Sequence, residues 1–402
     1  MKKIVFLTLI LSSILLFAGC QDPIYEAIRG DVIPEDPTVS GNIGTITRYT
    51  AGGNEFLVLA ADNGLRYKQK DNASHGAWNT YSIPFELHRY DFDSSKHTGE
   101  QIISVVANST TLYLVTAVYK HTNSEGLTYP SNIRLWGKNI TASGNNWDSS
   151  GDWTLITENN TTIFPVSYNS SSKYYETKFV VFQTNAPINA HREAYIQSYD
   201  STNKVYRYYR LNGVSMPVEF TISSIIDPEP SSDSSYVAKA RSAVYFNGGI
   251  KFFTSSTATT NETYTDEATY FYYTNGGNKL YYDNGSGAKN ISADSNYTIA
   301  SLATTADSIL LGYGSPYGGS GGGIGRSILS GGIPTGVTSF DSNAKFQITS
   351  SYIVPALVNA TPEKTEKDSC LYASLTFSGT AYNFDNIGLW SYYPSRGNWN
   401  RE

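Results

Sequence analysis

The chain has 402 residues and a net charge of −6, with Lys and Arg scattered along it. That balance excludes nucleic acid and charge-driven adhesion to anionic lipid as partners. Only two cysteines are present, Cys20 and Cys370, too few for a disulfide framework, so stability must come from core packing. Thirty-two Tyr against two Met, with 34 Gly and many polar turn formers, favour short strands and turns over helices.

Lys2 and Lys3 open the chain, an apolar run follows from Ile4 to Phe17, and Ala18-Gly19-Cys20 closes it. The run is about 14 residues, short of the ~20 that span a bilayer, and the arrangement is that of an export signal. The junction resembles the lipobox of bacterial lipoproteins, with Phe17 where Leu is usual. The resemblance implies cleavage before Cys20, lipid attachment at its thiol, and a protein held to a cell-envelope membrane through that anchor. Gln21, in place of Asp, favours the outer membrane. Residues 1–20 are therefore read as the signal peptide.

Residues 21–43 carry Pro23, Pro34 and Pro37 without apolar periodicity and are expected to form an extended tether. The folded domain is expected over 44–402. Six strand pairs are predicted along it: Ile46–Tyr49 with Phe56–Ala60, Ile103–Ala107 with Thr111–Leu114, Phe164–Tyr168 with Phe179–Phe182, Ala243–Phe246 with Ile250–Phe253, Ala300–Thr304 with Ser308–Leu311, and Tyr352–Val358 with Leu371–Leu375. The second and fifth pairs align without a gap.

A second signature follows most pairs: a strand ending in an aromatic residue, then a turn into Gly-x-Trp. It reads Gly64–Tyr67 then Gly76-Ala77-Trp78, Ile133–Trp136 then Gly151-Asp152-Trp153, and Ile387–Trp390 then Gly397-Asn398-Trp399. Tyr195–Tyr199 with Asn203–Tyr206, and Tyr270–Tyr273 with Asn278–Tyr281, are variants of it. In the fifth unit only Gly323–Leu329 remains.

A four-stranded unit repeated six times is the pattern of a β-propeller, because each blade needs a neighbour on both faces and a closed ring supplies them. The expected fold is all-β, a single propeller of about six blades. Seven blades, or two β-sandwich domains, are the alternatives. Each Trp is expected to pack between adjacent blades. The Asp227–Ser235 stretch is read as a surface connection within the ring. The turn Asp148-Ser-Ser-Gly151-Asp152-Trp153 resembles the Asp-box hairpins of sialidase-type propellers, a resemblance that implies fold and not activity.

A sialidase would need an Arg-Ile-Pro motif, but Arg48, Arg66 and Arg134 are followed by Tyr49, Tyr67 and Leu135. His88, Asp91, Asp93, His97 and Glu100 lack zinc or calcium spacing and are read as a solvated connector. Gly318–Ser327 imitates a phosphate loop, yet Arg326 stands where Lys should be and no strand-to-helix context follows. Cys370, in a strand-like stretch, is read as a buried inert thiol. No catalytic residue, metal ligand or cofactor is assigned, and catalysis is not expected. The expected function is a lipid-anchored binding or assembly module whose partner is an envelope protein or glycan. The alternative is a carbohydrate-active enzyme using two carboxylates in the central channel. Contact surfaces are expected in the insert Tyr119–Asn132 and the loop Gly314–Gly323, with surface tyrosines as sugar platforms.

Overall fold

The structure is a computed structural model. It describes residues 39, 43–61, 64–70, 78–84, 99–121, 128–140, 153–169, 174–184, 192–222, 242–246, 253–255, 270–283, 287–293, 297–314, 321–340, 346–377 and 387–402. Cys20, the signal region, the 227–235 stretch and most of the His88–Glu100 connector lie outside them.

The first sheet is β1 (Ile46–Ala51), β2 (Asn54–Ala61), β3 (Gly64–Gln69) and β4 (Asn79–Tyr81); the second is β5 (Gly99–Ala107), β6 (Thr111–His121), β7 (Thr128–Asn139) and β8 (Thr154–Glu158). A separate hairpin follows, β9 (Val166–Asn169) with β10 (Tyr174–Thr177). The third sheet is β11 (Phe179–Gln183), β12 (Ala194–Asp200), β13 (Val205–Leu211) and β14 (Val218–Ile222). The fourth is β15 (Ser242–Phe246), β17 (Tyr270–Thr274), β18 (Lys279–Asp283) and β19 (Lys289–Ser292), while β16 (Phe253–Ser255) pairs back onto β14. The fifth is β20 (Ile299–Thr304), β21 (Ser308–Tyr313) and β22 (Ile324–Ser330), with β23 (Ile333–Pro334) and β24 (Thr338–Ser339) on its outer side. The sixth is β25 (Tyr352–Asn359), β26 (Leu371–Phe377), β27 (Gly388–Tyr393) and β28 (Asn398–Arg401). Every described pairing is antiparallel. A 3-10 turn, Glu366–Asp368, is the helical segment among the described elements.

The innermost strands touch in a closed cycle: β1 lies against β5, β5 against β11, β11 against β15, β15 against β20, β20 against β25, and β25 against β1. The chain is a six-bladed β-propeller.

Buried apolar clusters fill the spaces between the blades, each built from two neighbours. Blades one and two share Tyr49, Val58, Leu114 and Trp153. Blades two and three share Val115, Leu135, Ile196 and Tyr209, four and five share Tyr272, Leu280 and Leu311, and five and six share Leu310, Val354 and Trp399. Blades six and one share Leu57, Trp78, Val358 and Leu389. The tryptophans follow one rule: Trp78, Trp153 and Trp399 each reach from the start of a fourth strand onto the preceding blade. Trp153 donates its Nε1 hydrogen to the Ser82 carbonyl at 3.0 Å, so the ring is buried and its one polar group is bonded.

The aligned strand pairs also turn alike. The Asn108 carboxamide accepts from the Thr110 and Thr111 amides at 2.9 and 2.8 Å. At the aligned position the Thr305 hydroxyl accepts from Asp307 and Ser308 at 3.3 and 2.9 Å. Short polar side chains thus stand in for a missing strand bond in each turn.

Four expected features differ from the structure. Phe164–Tyr168 does not pair with Phe179–Phe182; β9 turns back onto β10, where the Tyr168 and Tyr175 rings meet tilted, 5.0 Å apart, and β11 pairs with β12. Ala243–Phe246 pairs with β17; of its expected partner Ile250–Phe253 only Phe253 lies among the described residues, and it pairs with Ile222 of blade three. The aromatic signatures at Tyr195–Tyr206 and Tyr270–Tyr281 consequently span second and third strands, not third and fourth. Tyr67 and Trp136 are not equivalent: Arg66 lies opposite Thr80 as Trp136 lies opposite Leu155, in both cases two residues past the Trp. One residue of offset puts Tyr67 on the other face of its blade, toward blade two.

The packed region reaches back past Gly44, since Val39 and Ile43 are fully buried in the seam between blades six and one. Cys370 is a half-buried thiol, outside any disulfide, beside that seam. β14 and β16 flank the 227–235 stretch yet share one sheet, which places no domain boundary there. Among the described residues no helix is long and apolar enough to cross a membrane.

Candidate functional site

An innermost strand has a neighbour on one edge only, so its other edge presents unpaired backbone groups to the channel. Side chains of other blades cap several of them. Thr45 accepts from the Val105 amide at 3.2 Å, Gln183 donates to the Arg48 carbonyl at 2.8 Å, and Ser301 donates to the Val354 carbonyl at 2.8 Å. The Thr47 hydroxyl also bonds Gln183, which ties blade one to blade three across the ring.

What remains is a cavity of about 410 Å3, lined by Gly44 to Thr47 of blade one, Ile103 to Val106 of blade two, Thr177 of β10, Phe179 to Gln183 of blade three, and residues of blades five and six. Hydroxyl and amide groups alternate there with apolar walls. None of the described lining residues is Asp, Glu, His, Lys or Arg. The enzyme alternative therefore finds no carboxylate pair among the described residues that line this cavity.

Because every blade is the same up-and-down meander taken from the inside outward, connections between second and third strands emerge on one face of the ring, where the first strands begin. We call this the upper face. The described ends of both stretches expected to make contacts lie there, and the described parts of Tyr119–Asn132 are strand rather than loop. β6 and β7 go on pairing from Thr111↔Asn139 to His121↔Thr128, with one register shift between Val118 and Tyr119. Gly314–Gly323 joins β21 to β22; its described ends are clamped, with Gly314 donating to the Thr298 carbonyl and Gly323 to the Tyr352 carbonyl at 2.8 and 2.7 Å. At Gly322 a Cβ would collide with the Tyr352 carbonyl oxygen, so only glycine fits that approach. The β9–β10 hairpin, absent from the sequence reading, also rises on this face beside β7 and carries Tyr168, 42% exposed.

The lower face carries a buried charged cluster. Arg48 donates to Glu55 at 2.6 Å, Arg192 pairs with the same carboxylate, and Lys70 stands 3.4 Å from it. Burial pushes the Glu55 carboxyl up, but Arg48, Arg192 and Lys70 outweigh that and hold it below its ordinary value. Burial, reinforced by Arg48, lowers Arg192 to about 10. Arg48 and Arg192 are 2% exposed, so the cluster ties the β1–β2 turn to the start of β12.

The other candidates are dispersed. Arg66 bonds Thr80, Arg134 bridges Glu100 and Glu158 at 3.1 and 3.2 Å, and Arg326 pairs with Glu366 at 2.9 Å. Glu100, part of the connector in the sequence reading, is fully buried and accepts from Thr116 at 2.5 Å. Among the described residues no three His, Cys, Asp or Glu side chains converge as metal ligands.

No protein-family model matches the chain, and no curated protein matches it. Solved structures do. A six-bladed propeller lectin from the fungus Aleuria aurantia is 11% identical over 91% of this chain and 96% of its own, with a TM-score of 0.41. A chain of a mitotic checkpoint complex is 10% identical over 90% and 92%, with a TM-score of 0.42. A DUF4623 family protein from Bacteroides eggerthii is 10% identical over 84% and 69%, with a TM-score of 0.39. Similarity at this level assigns neither family nor ligand.

Proposed function

We propose that this propeller is a binding module of the bacterial cell envelope, anchored through lipid on Cys20 and carrying its partner, an envelope protein or glycan, on the upper face. The observation that supports this is a shared face. The β6–β7 hairpin, the Gly314–Gly323 connection and the β9–β10 hairpin with exposed Tyr168 emerge together on one face. Loops and hairpins on a rigid scaffold are where binding residues can vary without disturbing packed strands.

Two experiments test it. A photo-crosslinking residue at Tyr168 is expected to capture a partner in cells, and one at Glu363, 52% exposed on the lower face, is not; capture at Glu363 alone overturns the reading. Mass spectrometry of the mature protein is expected to find acylated Cys20, and Cys20→Ser is expected to release the protein from its membrane. An unmodified terminus elsewhere overturns the anchor.

A further inference from the structure

The channel cavity carries a feature that ring closure does not require. Ser104 of β5 lines it, is 5% exposed, and its hydroxyl meets no hydrogen-bond partner. A buried hydroxyl with no partner costs free energy that a bound group can recover.

The backbone adds further hydrogen-bonding groups. Tyr199 donates to the Lys178 carbonyl at 2.9 Å, and Thr184 to the Glu193 carbonyl at 2.8 Å. In an antiparallel pair, bonded and non-bonded positions alternate, so Phe179, Val181 and Gln183 of β11 turn their N–H and C=O groups away from β12, toward the channel. All three line the cavity. Donors and acceptors therefore face the cavity among the side chains of Ile103, Phe179 and Leu357.

Such a wall suits a small ring that offers both hydroxyls and C–H surface. It does not suit a charged ligand, because the described lining has no ion to offset the desolvation of one. The volume of about 410 Å3 lies within the ~300–1,000 Å3 typical of ligand pockets. We propose that the channel cavity is a binding site for a neutral, polyhydroxylated ring, a pyranose sugar residue, with Ser104 and the inner edge of β11 as its hydrogen-bonding partners. This site is inside the ring and does not depend on the upper-face partner.

The test uses the full-length protein in a non-glycosidic detergent, with glucose, galactose, mannose, fucose and N-acetylglucosamine as probes and glucuronate and glucosamine as charged counterparts. Saturation-transfer NMR followed by titration is expected to show binding of at least one neutral sugar, and about tenfold weaker binding of its charged counterpart. Ser104→Ala is expected to raise the Kd about fivefold through one lost hydrogen bond. Gly44 lines the cavity and a Cβ there meets nothing within 4 Å, so Gly44→Phe fills free space and is expected to abolish binding with little change in Tm. If Gly44→Phe fails to fold, Ser104→Ala decides alone. No binding by any neutral sugar, equal binding of glucuronate, or a Kd unchanged in Ser104→Ala overturns the proposal.

Discussion

Lys68 and Glu402 stand 334 residues apart in the chain and 2.7 Å apart in space. The same Glu402 oxygen accepts the Trp78 indole hydrogen at 2.8 Å, and the Lys68 ammonium sits 5.7 to 5.8 Å from the rings of Trp78, Tyr372 and Tyr393. Charge, indole and rings from the first and last blades form one buried unit, with Lys68 3% and Glu402 8% exposed.

Breaking this pair from one side strands a charge in a low-dielectric seam. Glu402→Ala is therefore expected to destabilise the fold by about 3–5 kcal/mol, while Lys68→Met with Glu402→Leu is expected to cost much less. Urea midpoints of the two variants, compared with the parent chain, check the ordering.

The interblade tryptophans predict a contrast two residues wide. Trp153→Ala is expected to cost about 3–5 kcal/mol, because the ring fills the space between blades one and two. Leu155→Ala, at a position 40% exposed, is expected to stay within about 0.5 kcal/mol. Thermal unfolding of both separates an interface role from a general strand effect.

Stability is expected to fall in acid through Glu55. Its carboxyl is held below its ordinary value in the folded state, so the unfolded chain binds the proton first. The contribution is full above the ordinary carboxylate pKa and is lost as pH drops through the lower folded value. Melting temperatures of the parent chain and Glu55→Gln are expected to differ most near neutral pH and to converge as Glu55 is protonated. At neutral pH the variant leaves Arg48 and Arg192 without their carboxylate, and it is expected to melt well below the parent.

Two glycines on blade five are expected to fail for different reasons. Gly331 has φ +57 and open space around a Cβ, so Gly331→Ala costs about 1–2 kcal/mol of backbone strain. At Gly322 the obstacle is the Tyr352 carbonyl, so Gly322→Ala must move the loop and is expected to cost more. Amide exchange at Gly323, whose N–H bonds that carbonyl, is expected to accelerate in Gly322→Ala and not in Gly331→Ala.

The ring was legible in the sequence because its turns repeat: Asn108 and Thr305 occupy equivalent positions and play the same part. Trp78, Trp153 and Trp399 were legible because a large ring beside a glycine has few places to go in a sheet protein. Strand partners in blades three and four were not, since Phe164 to Phe182 and Ala243 to Phe253 satisfy the same alternation in more than one pairing. The face of Tyr67 was lost to a single residue of offset. The channel site had no local signal at all: Ser104 lies in an ordinary strand, and its surroundings come from blades that are distant in sequence.

Apart from β16, each blade's described strands follow one another in the chain, and among the described residues no strand from blade one completes blade six. The first blade can thus form its hydrogen bonds early in synthesis, yet Leu57, Leu59 and Trp78 wait for Tyr372, Leu389 and Glu402 to be made before they are covered. Until then that blade is a finished sheet with a wet apolar side. Covering it requires the arrival of the chain's own far end.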